Sequence, residues 1–237
     1  MIQEKGSVRA FWFTLAAILA VGAGLLLAPR GTFVSASASV PPVLLIDAGH
    51  GGEDGGAVAP DGRTEAELNW DIAIRLDALA RFWGVPTQMT RPDNEIDYPV
   101  SAQTLAAKKK ADQDARLSII HDTTGGVLIS IHQNNYPAAS PNGIQVFFGP
   151  EPGGEDLAAG MQENLTAQLC PDNRRVAGPI DGSIYLMKNA RCPAVLVECG
   201  FLSNPEELQK LETESYRMEL AVVLLASYRQ YIRGEST

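Results

Sequence analysis

The sequence predicts an α/β fold: a single domain with a largely parallel twisted sheet flanked by helices, preceded by one N-terminal membrane helix. Three observations predict it. From Val43 onward, short apolar runs alternate with stretches of helical periodicity. Several of those runs are apolar on both faces, as strands buried between helices are. Residues 10–28 form an uncharged apolar run about as long as a bilayer core requires.

Lys5 and Arg9 precede that run, which keeps the basic side in the cytoplasm and exports the rest of the chain, although Arg30 on the far side weakens the asymmetry. Ala36, Ser37 and Ala38 form an AxA-like cleavage signal, so a cleaved signal peptide and an uncleaved anchor both fit. The run is longer than a usual signal core, which favours the anchor. A buried core helix would need an equally apolar mate, and no other segment offers one. The expected organisation is a membrane anchor or signal segment over 1–30, a linker over 31–42 and a folded domain over 43–237. That domain is expected to be extracytoplasmic.

Within it, strands are expected at Val43–Asp47, Val85–Met89, Val127–His132, Ile144–Phe148, Ile184–Met187 and Ala194–Glu198. Helices are expected at Glu65–Phe82, Asp112–His121, Asp156–Leu169, Glu206–Leu211 and from about Ser215 to Ile232. Residues 91–111 read as a polar loop, and its run Lys108–Lys110 as a solvated face.

Composition excludes several function classes. The chain carries 28 Asp and Glu against 19 Lys and Arg, a net charge of −9, which argues against a nucleic-acid partner. Cys170, Cys192 and Cys199 include no CxxC pair, so neither a zinc ribbon nor a dense disulfide framework fits. With 3 His in the chain, a metal site must draw on carboxylates as well.

The chemistry begins at LLIDAGHGGEDGGAV, where His50 comes directly after the first strand among Gly49, Gly51, Gly52, Gly55 and Gly56. Glycines let the backbone bend tightly around a bound group, but the run matches neither phosphate-binding glycine pattern. A His at the C-terminal end of a strand fits better as a ligand or catalytic group. In the next helix, Leu68, Ile72, Leu76, Leu79 and Trp83 form an apolar stripe. Glu65 falls in the middle of that stripe and Glu67 nearly opposite. Thr64 and Glu67 match a capping box, which gives Glu67 a structural task. Glu65 has none. An inward carboxylate is costly unless a cation or hydrogen bonds satisfy it, so Glu65 is the better ligand candidate, with a simple helix-dipole role as the alternative. The strand VLISIH ends in His132. In a parallel sheet, His50 and His132 converge on one rim, and with one carboxylate they form a His2Glu set that leaves zinc an open position. His121 lies near a helix end and reads as stabilising the helix C-terminus or as solvent-exposed. Glu198 ends an otherwise apolar strand, where a lone acid is expensive but becomes a general base beside a metal-activated water. Cys199 next to it matches no thiol-protease pattern and reads as core.

LLIDAGHGGEDGGAV, TEAELNW with DIAIRL, LISIHQNN and PAVLVECGFLSNPEE together resemble, in order and spacing, the four signatures of zinc-dependent N-acetylmuramoyl-L-alanine amidases of the amidase-3 type. The resemblance runs from about Val43 to Ile232. It implies His50, Glu65 and His132 as zinc ligands and Glu198 as the catalytic residue. Asn69 fits the family's Asn four residues after its ligand Glu, which again selects Glu65 over Glu67. NRRVAGPIDG, IYLMKNARCPAV and KKKADQDARLSII resemble most the germination-specific, spore-cortex branch, although His121 stands where the family commonly has Asn. The short segment Asn135–Asn142 leaves no room for the blocking helix of some cell-separation amidases, so an open site is implied.

The implied function is zinc-dependent hydrolysis of the amide between N-acetylmuramic acid and L-alanine in peptidoglycan, in spore cortex maturation. A stem-peptide metallocarboxypeptidase and a vegetative autolysin amidase are the alternatives. A catalytically dead wall-binding module would lack one of the four groups, and all four are present. The partners implied are peptidoglycan, the membrane through the N-terminal helix and, left open, an activating protein.

Overall fold

A computed structural model describes residues 41–235, and the apolar run 10–28 with most of its linker lies outside them. Among the described residues no helix is long and apolar enough to cross a membrane. Six strands form one sheet: β1 (Val43–Ala48), β2 (Thr87–Met89), β3 (Gly126–Asn134), β4 (Gln145–Phe148), β5 (Gly178–Pro179) and β6 (Ala194–Phe201). Their spatial order is β2-β1-β3-β6-β4-β5. The sheet is parallel from β2 through β6, and β4 then runs antiparallel to β6. The helices are α1 (Glu65–Phe82), α2 (Leu105–Asp122), α3 (Gly154–Leu169), α4 (Tyr185–Asn189), α5 (Pro205–Leu211) and α6 (Glu214–Ile232). Helices α1, α3 and α6 cover one face of the sheet, and α2 and α4 the other.

Strand alternation sorts the side chains between these faces. Leu44, Ile46 and Ala48 of β1, Val127, Ile129 and Ile131 of β3, and Val195, Val197 and Cys199 of β6 join the larger core under α1, α3 and α6. Leu45, Leu128, Ala194 and Leu196 join the smaller core under α2 and α4. The same parity puts Asp47, Ser130, His132 and Glu198 on that second face. The chain leaves β1 toward β2 on one side and returns to β3 on the other, so a crevice opens between the ends of β1 and β3, where open α/β sheets bind ligands.

Buried charge ties α2 to this crevice. Asp47, 1% exposed, accepts hydrogen bonds from Thr90, Ser130 and the Arg116 guanidinium at 2.6, 2.6 and 2.9 Å. Arg116 also donates to the Ala48 and His50 carbonyls and pairs with Asp112. Burial would raise the Asp47 pKa, but the Arg116 charge and the two hydroxyl donors overcome it and hold it at about 2. Arg91, stacked 4.6 Å over the Trp70 ring, donates to the same Ala48 carbonyl.

The fold departs from expectation at three places. Ile184–Met187 is not a strand: Ile184 caps α4, which buries Leu186 and Met187. Four apolar residues fit either state, and the Asp181–Ile184 turn decides for a helix by placing the Ile184 N–H on the Asp181 carbonyl. The polar loop ends early, because Thr104 caps α2 and the helix already runs through Lys108–Lys110. Arg116 and Ile120 are its buried residues, so it lacks an apolar stripe to read. The lysine run is also not simply solvated: Lys108 pairs with Glu53, Lys109 with Asp54 at 2.8 Å and Lys110 with Asp114.

Arg116→Met strands Asp47 as an unpaired buried charge and is expected to cost about 3–5 kcal/mol. Lys109→Ala breaks a more exposed pair and should cost less than about 1 kcal/mol. Urea unfolding checks both, with a lowered midpoint and unchanged slope for the Arg116 variant.

Candidate metal centre

His50, Glu65 and His132 come together at the crevice, with one ligand atom from each lying within 4.8 Å of the others. Each is placed by a different element. The β1 exit delivers His50, whose backbone is left-handed at φ 61, the one such non-glycine residue among the described ones. Helix α1 opens on Glu65, which is 4% exposed, turned inward as the helical wheel predicts. The end of β3 delivers His132, whose Cα lies in register with that of Glu198 on β6.

Glu65 collects the site. Its Oε1 accepts from His132 Nδ1 at 2.9 Å, the Gln133 amide at 3.1 Å and Asn69 Nδ2 at 3.4 Å. Its Oε2 accepts from the Ala57 amide at 3.0 Å and lies 3.3 Å from His50 Nε2. His50 Nδ1 sits 2.9 Å from Asp54 Oδ2, which fixes the ring so that Nε2 faces the cluster. Two glycines allow the approach: a Cβ on Gly49 would fall 2.3 Å from the His132 ring, and one on Gly56 would fall 2.6 Å from Glu65 Oε2.

Burial would raise the Glu65 pKa, yet hydrogen bonds to His132 and His50 and their charges hold it well below the usual carboxylate range. Burial would lower that of His50, but Glu65 and Asp54 push it up to about 9. Glu198 goes the other way. Burial, with the Glu65 charge behind it and the two imidazoles opposing, pushes it up to about 7.

These groups fit a bound cation. Two imidazole nitrogens and a carboxylate oxygen are a zinc-type donor set, and their spacing suits bonds of about 2.0–2.2 Å. Glu198 Oε2 is enclosed and has no hydrogen-bond partner, which is costly unless a further group belongs beside it. The cluster lies in a cavity of about 370 Å³, walled by Lys109, Gln113 and Arg116 of α2 and by Ser183–Met187 around α4. The segment between β3 and β4 holds no helix, and none of its residues lines the cavity.

The other candidates lie apart. Glu67 completes the capping box with Thr64, accepting the Thr64 amide at 2.8 Å. His121, in the last turn of α2, bonds the Asn189 carbonyl. Cys199 faces the larger core, and burial pushes its thiol far up. Sequence reasoning does not single out Asp54, Gln133, Arg116 or Arg91 as supports, nor Asn69 from its own position. Asn69 is within reach of such reasoning, since it comes one helical turn after Glu65 on the same face. Arg116 leaves only a weaker trace, four residues after Asp112.

Residues 44–227 match the family described as N-acetylmuramoyl-L-alanine amidase. The germination-specific N-acetylmuramoyl-L-alanine amidase of Bacillus subtilis is 32% identical over 190 residues, covering 80% of this chain and 79% of that one. The amidase LytC of the same organism is 28% identical, over 82% of this chain but 36% of its own length. The CwlD amidase from Clostridioides difficile, solved in complex with the GerS lipoprotein, superposes with a TM-score of 0.78 at 31% identity, over 81% of this chain and 99% of that one.

His50 ties the stability of the fold to pH. The raised His50 pKa stabilises the fold fully below about 6.5, and this contribution is lost as pH rises through about 9. A metal must displace the same proton, so metal affinity should climb between those values and level off above them. Calorimetric titration in buffers of different ionisation enthalpy reads the released proton; an affinity flat over that window would remove His50 from the ligand set.

Proposed function

The chain belongs to the N-acetylmuramoyl-L-alanine amidase family, and from that premise we propose that it is a zinc hydrolase cutting between the lactyl group of N-acetylmuramic acid and the L-alanine of the peptidoglycan stem. The observation that carries this is the His50–Glu65–His132 cluster beside the unpartnered Glu198 oxygen in an open cavity. His50 Nε2, His132 Nδ1 and Glu65 would hold the ion. Bound zinc would acidify a coordinated water and polarise the amide carbonyl.

Glu198 would do the proton work. A carboxyl group with a pKa of about 7 accepts and returns a proton near neutrality at little cost. It takes one from the attacking water as the C–O bond forms and gives it to the alanine nitrogen as the C–N bond breaks. Asp54 holds the His50 ring, while Asn69 and the Gln133 amide hold Glu65.

The cortex role belongs to the same proposal. It is supported by the germination-specific name of the Bacillus subtilis relative and by the absence of a helix from the segment that connects β3 to β4. The enzyme would act outside the cytoplasm, tethered through residues 10–28. An activating protein partner is suggested by the lipoprotein in the structure of the Clostridioides difficile relative.

Glu198→Gln should keep fold and metal and lose about 10²- to 10⁴-fold in turnover, whereas His132→Ala should lose the metal. Glu67→Ala should keep both and cost only on the order of 1 kcal/mol of stability. Mass spectrometry of muropeptide products separates cleavage at the lactyl group from cleavage within the peptide, and the latter result would turn the reading to a carboxypeptidase. In a spore-forming host, deletion should give cortex lacking muramic lactam and spores that germinate poorly; normal lactam content would reject the cortex role and leave the chemistry standing.

A further inference from the structure

We propose that the edge of the domain opposite the metal cluster is a membrane-contact patch, formed by Phe82 and Trp83 with Arg229, which seats the domain on an anionic lipid surface. The proposal rests on the tethered reading above and adds a surface to it.

Helix α1 runs back along the sheet and ends at the N-terminal edge of the strands, away from the cluster. There Phe82 is 81% exposed and Trp83 58%, an edge-to-face pair with ring centroids 5.8 Å apart. The inward stripe of the helix is used, with Leu68, Ile72, Leu76 and Ala80 buried, and Ile74 is exposed on its outer face. Two adjacent large aromatics left in water are costly without an occupant. The Arg229 guanidinium lies over the Trp83 ring, 5.1 Å from its centroid. Arg229 makes no ion pair with a carboxylate among the described residues, unlike Arg81, which pairs with Asp77, and Arg233, which pairs with Glu235.

The chain's own path selects lipid as the occupant. Tyr228, the neighbour of Arg229 in α6, donates its hydroxyl hydrogen bond to the Pro42 carbonyl. One turn of α6 therefore holds both the entry of the chain into the domain and the exposed tryptophan. Upstream of Pro42, the stretch that joins it to the apolar run 10–28 reaches at most about 50 Å if fully extended. The patch thus lies beside the point where a tether enters. Trp with a cation is also the chemistry of the lipid headgroup region, where the ring is half-solvated and the guanidinium meets phosphate. A stable protein interface, by contrast, needs roughly 800 Å² on each side, well beyond one aromatic pair. Seated this way, the domain turns its cavity away from the bilayer, since the cluster leaves the strands at their opposite ends.

The test uses the full chain carrying Trp12→Phe, which removes the tryptophan of the apolar run, reconstituted in phosphatidylglycerol–phosphatidylcholine vesicles with plain or brominated acyl chains. The Trp83 contribution is the emission difference from the same chain carrying Trp83→Phe as well. Brominated lipid is expected to remove most of that difference, and Arg229→Glu to restore much of it. Equal Trp83 emission in the two kinds of vesicle would overturn the patch. So would a chain that fails to float with the vesicles, or a Trp83 signal that responds only when a second protein is added. Phe82→Ser with Trp83→Ser should leave hydrolysis of soluble muropeptides unchanged, so a failure of the amidase reading shows in that assay and not in the quenching.

Discussion

A carboxylate can be buried in this fold only where donors surround it, and Glu65 is placed where every neighbouring element must supply one. The loop after β1 gives the Ala57 amide and His50, β3 gives His132 and the Gln133 amide, and α1 gives Asn69. Sliding α1 along the sheet by even part of a turn would break several of these bonds at once. The site is therefore less an addition to the fold than the point at which helix, loop and strand are pinned to each other. The two imidazoles hold the Glu65 carboxyl well below the usual carboxylate range, and a divalent cation between them would take over the same duty.

Behind this layer lies a second one built on Asp47 and Arg116. It secures the backbone carbonyls of Ala48 and His50, the two positions on either side of the β1 exit, and so supports the left-handed turn at His50. Strand parity explains why both layers share a face: Asp47, Ser130, His132 and Glu198 all point toward α2 and α4. Glu198 is the least satisfied member. Burial leaves its Oε2 without a hydrogen-bond partner and pushes its carboxyl up to about 7.

How much of this can be read from the sequence depends on whether a residue's task is written in its period. Glu65 is legible because a charge in an apolar stripe is conspicuous, and His50 and His132 because they close apolar strands. The strands themselves are legible where they are long and aliphatic. Helix α2 is only half legible because its inward face carries Arg116, a charged residue whose burial depends on Asp47, 69 positions away. The segment Ile184–Met187 reads as a strand because four apolar residues contain no full period of either kind, and the deciding turn lies just before them. Asp54 and Arg91 stay hidden for a related reason: each acts from a loop, on a partner that only the folded chain brings near.

The strand lengths have a consequence for how the protein survives at high local concentration. The long aliphatic strands β3 and β6 sit in the middle of the sheet, each paired on both sides. The margins are β2, three residues long, and β5, two residues long and ending in Pro179, which has no N–H to offer. A neighbouring molecule therefore meets almost no open backbone ladder on which to add a strand. The segments best suited to assembling into fibres are those a native molecule never shows, so protection against aggregation lasts as long as the sheet stays closed around its centre.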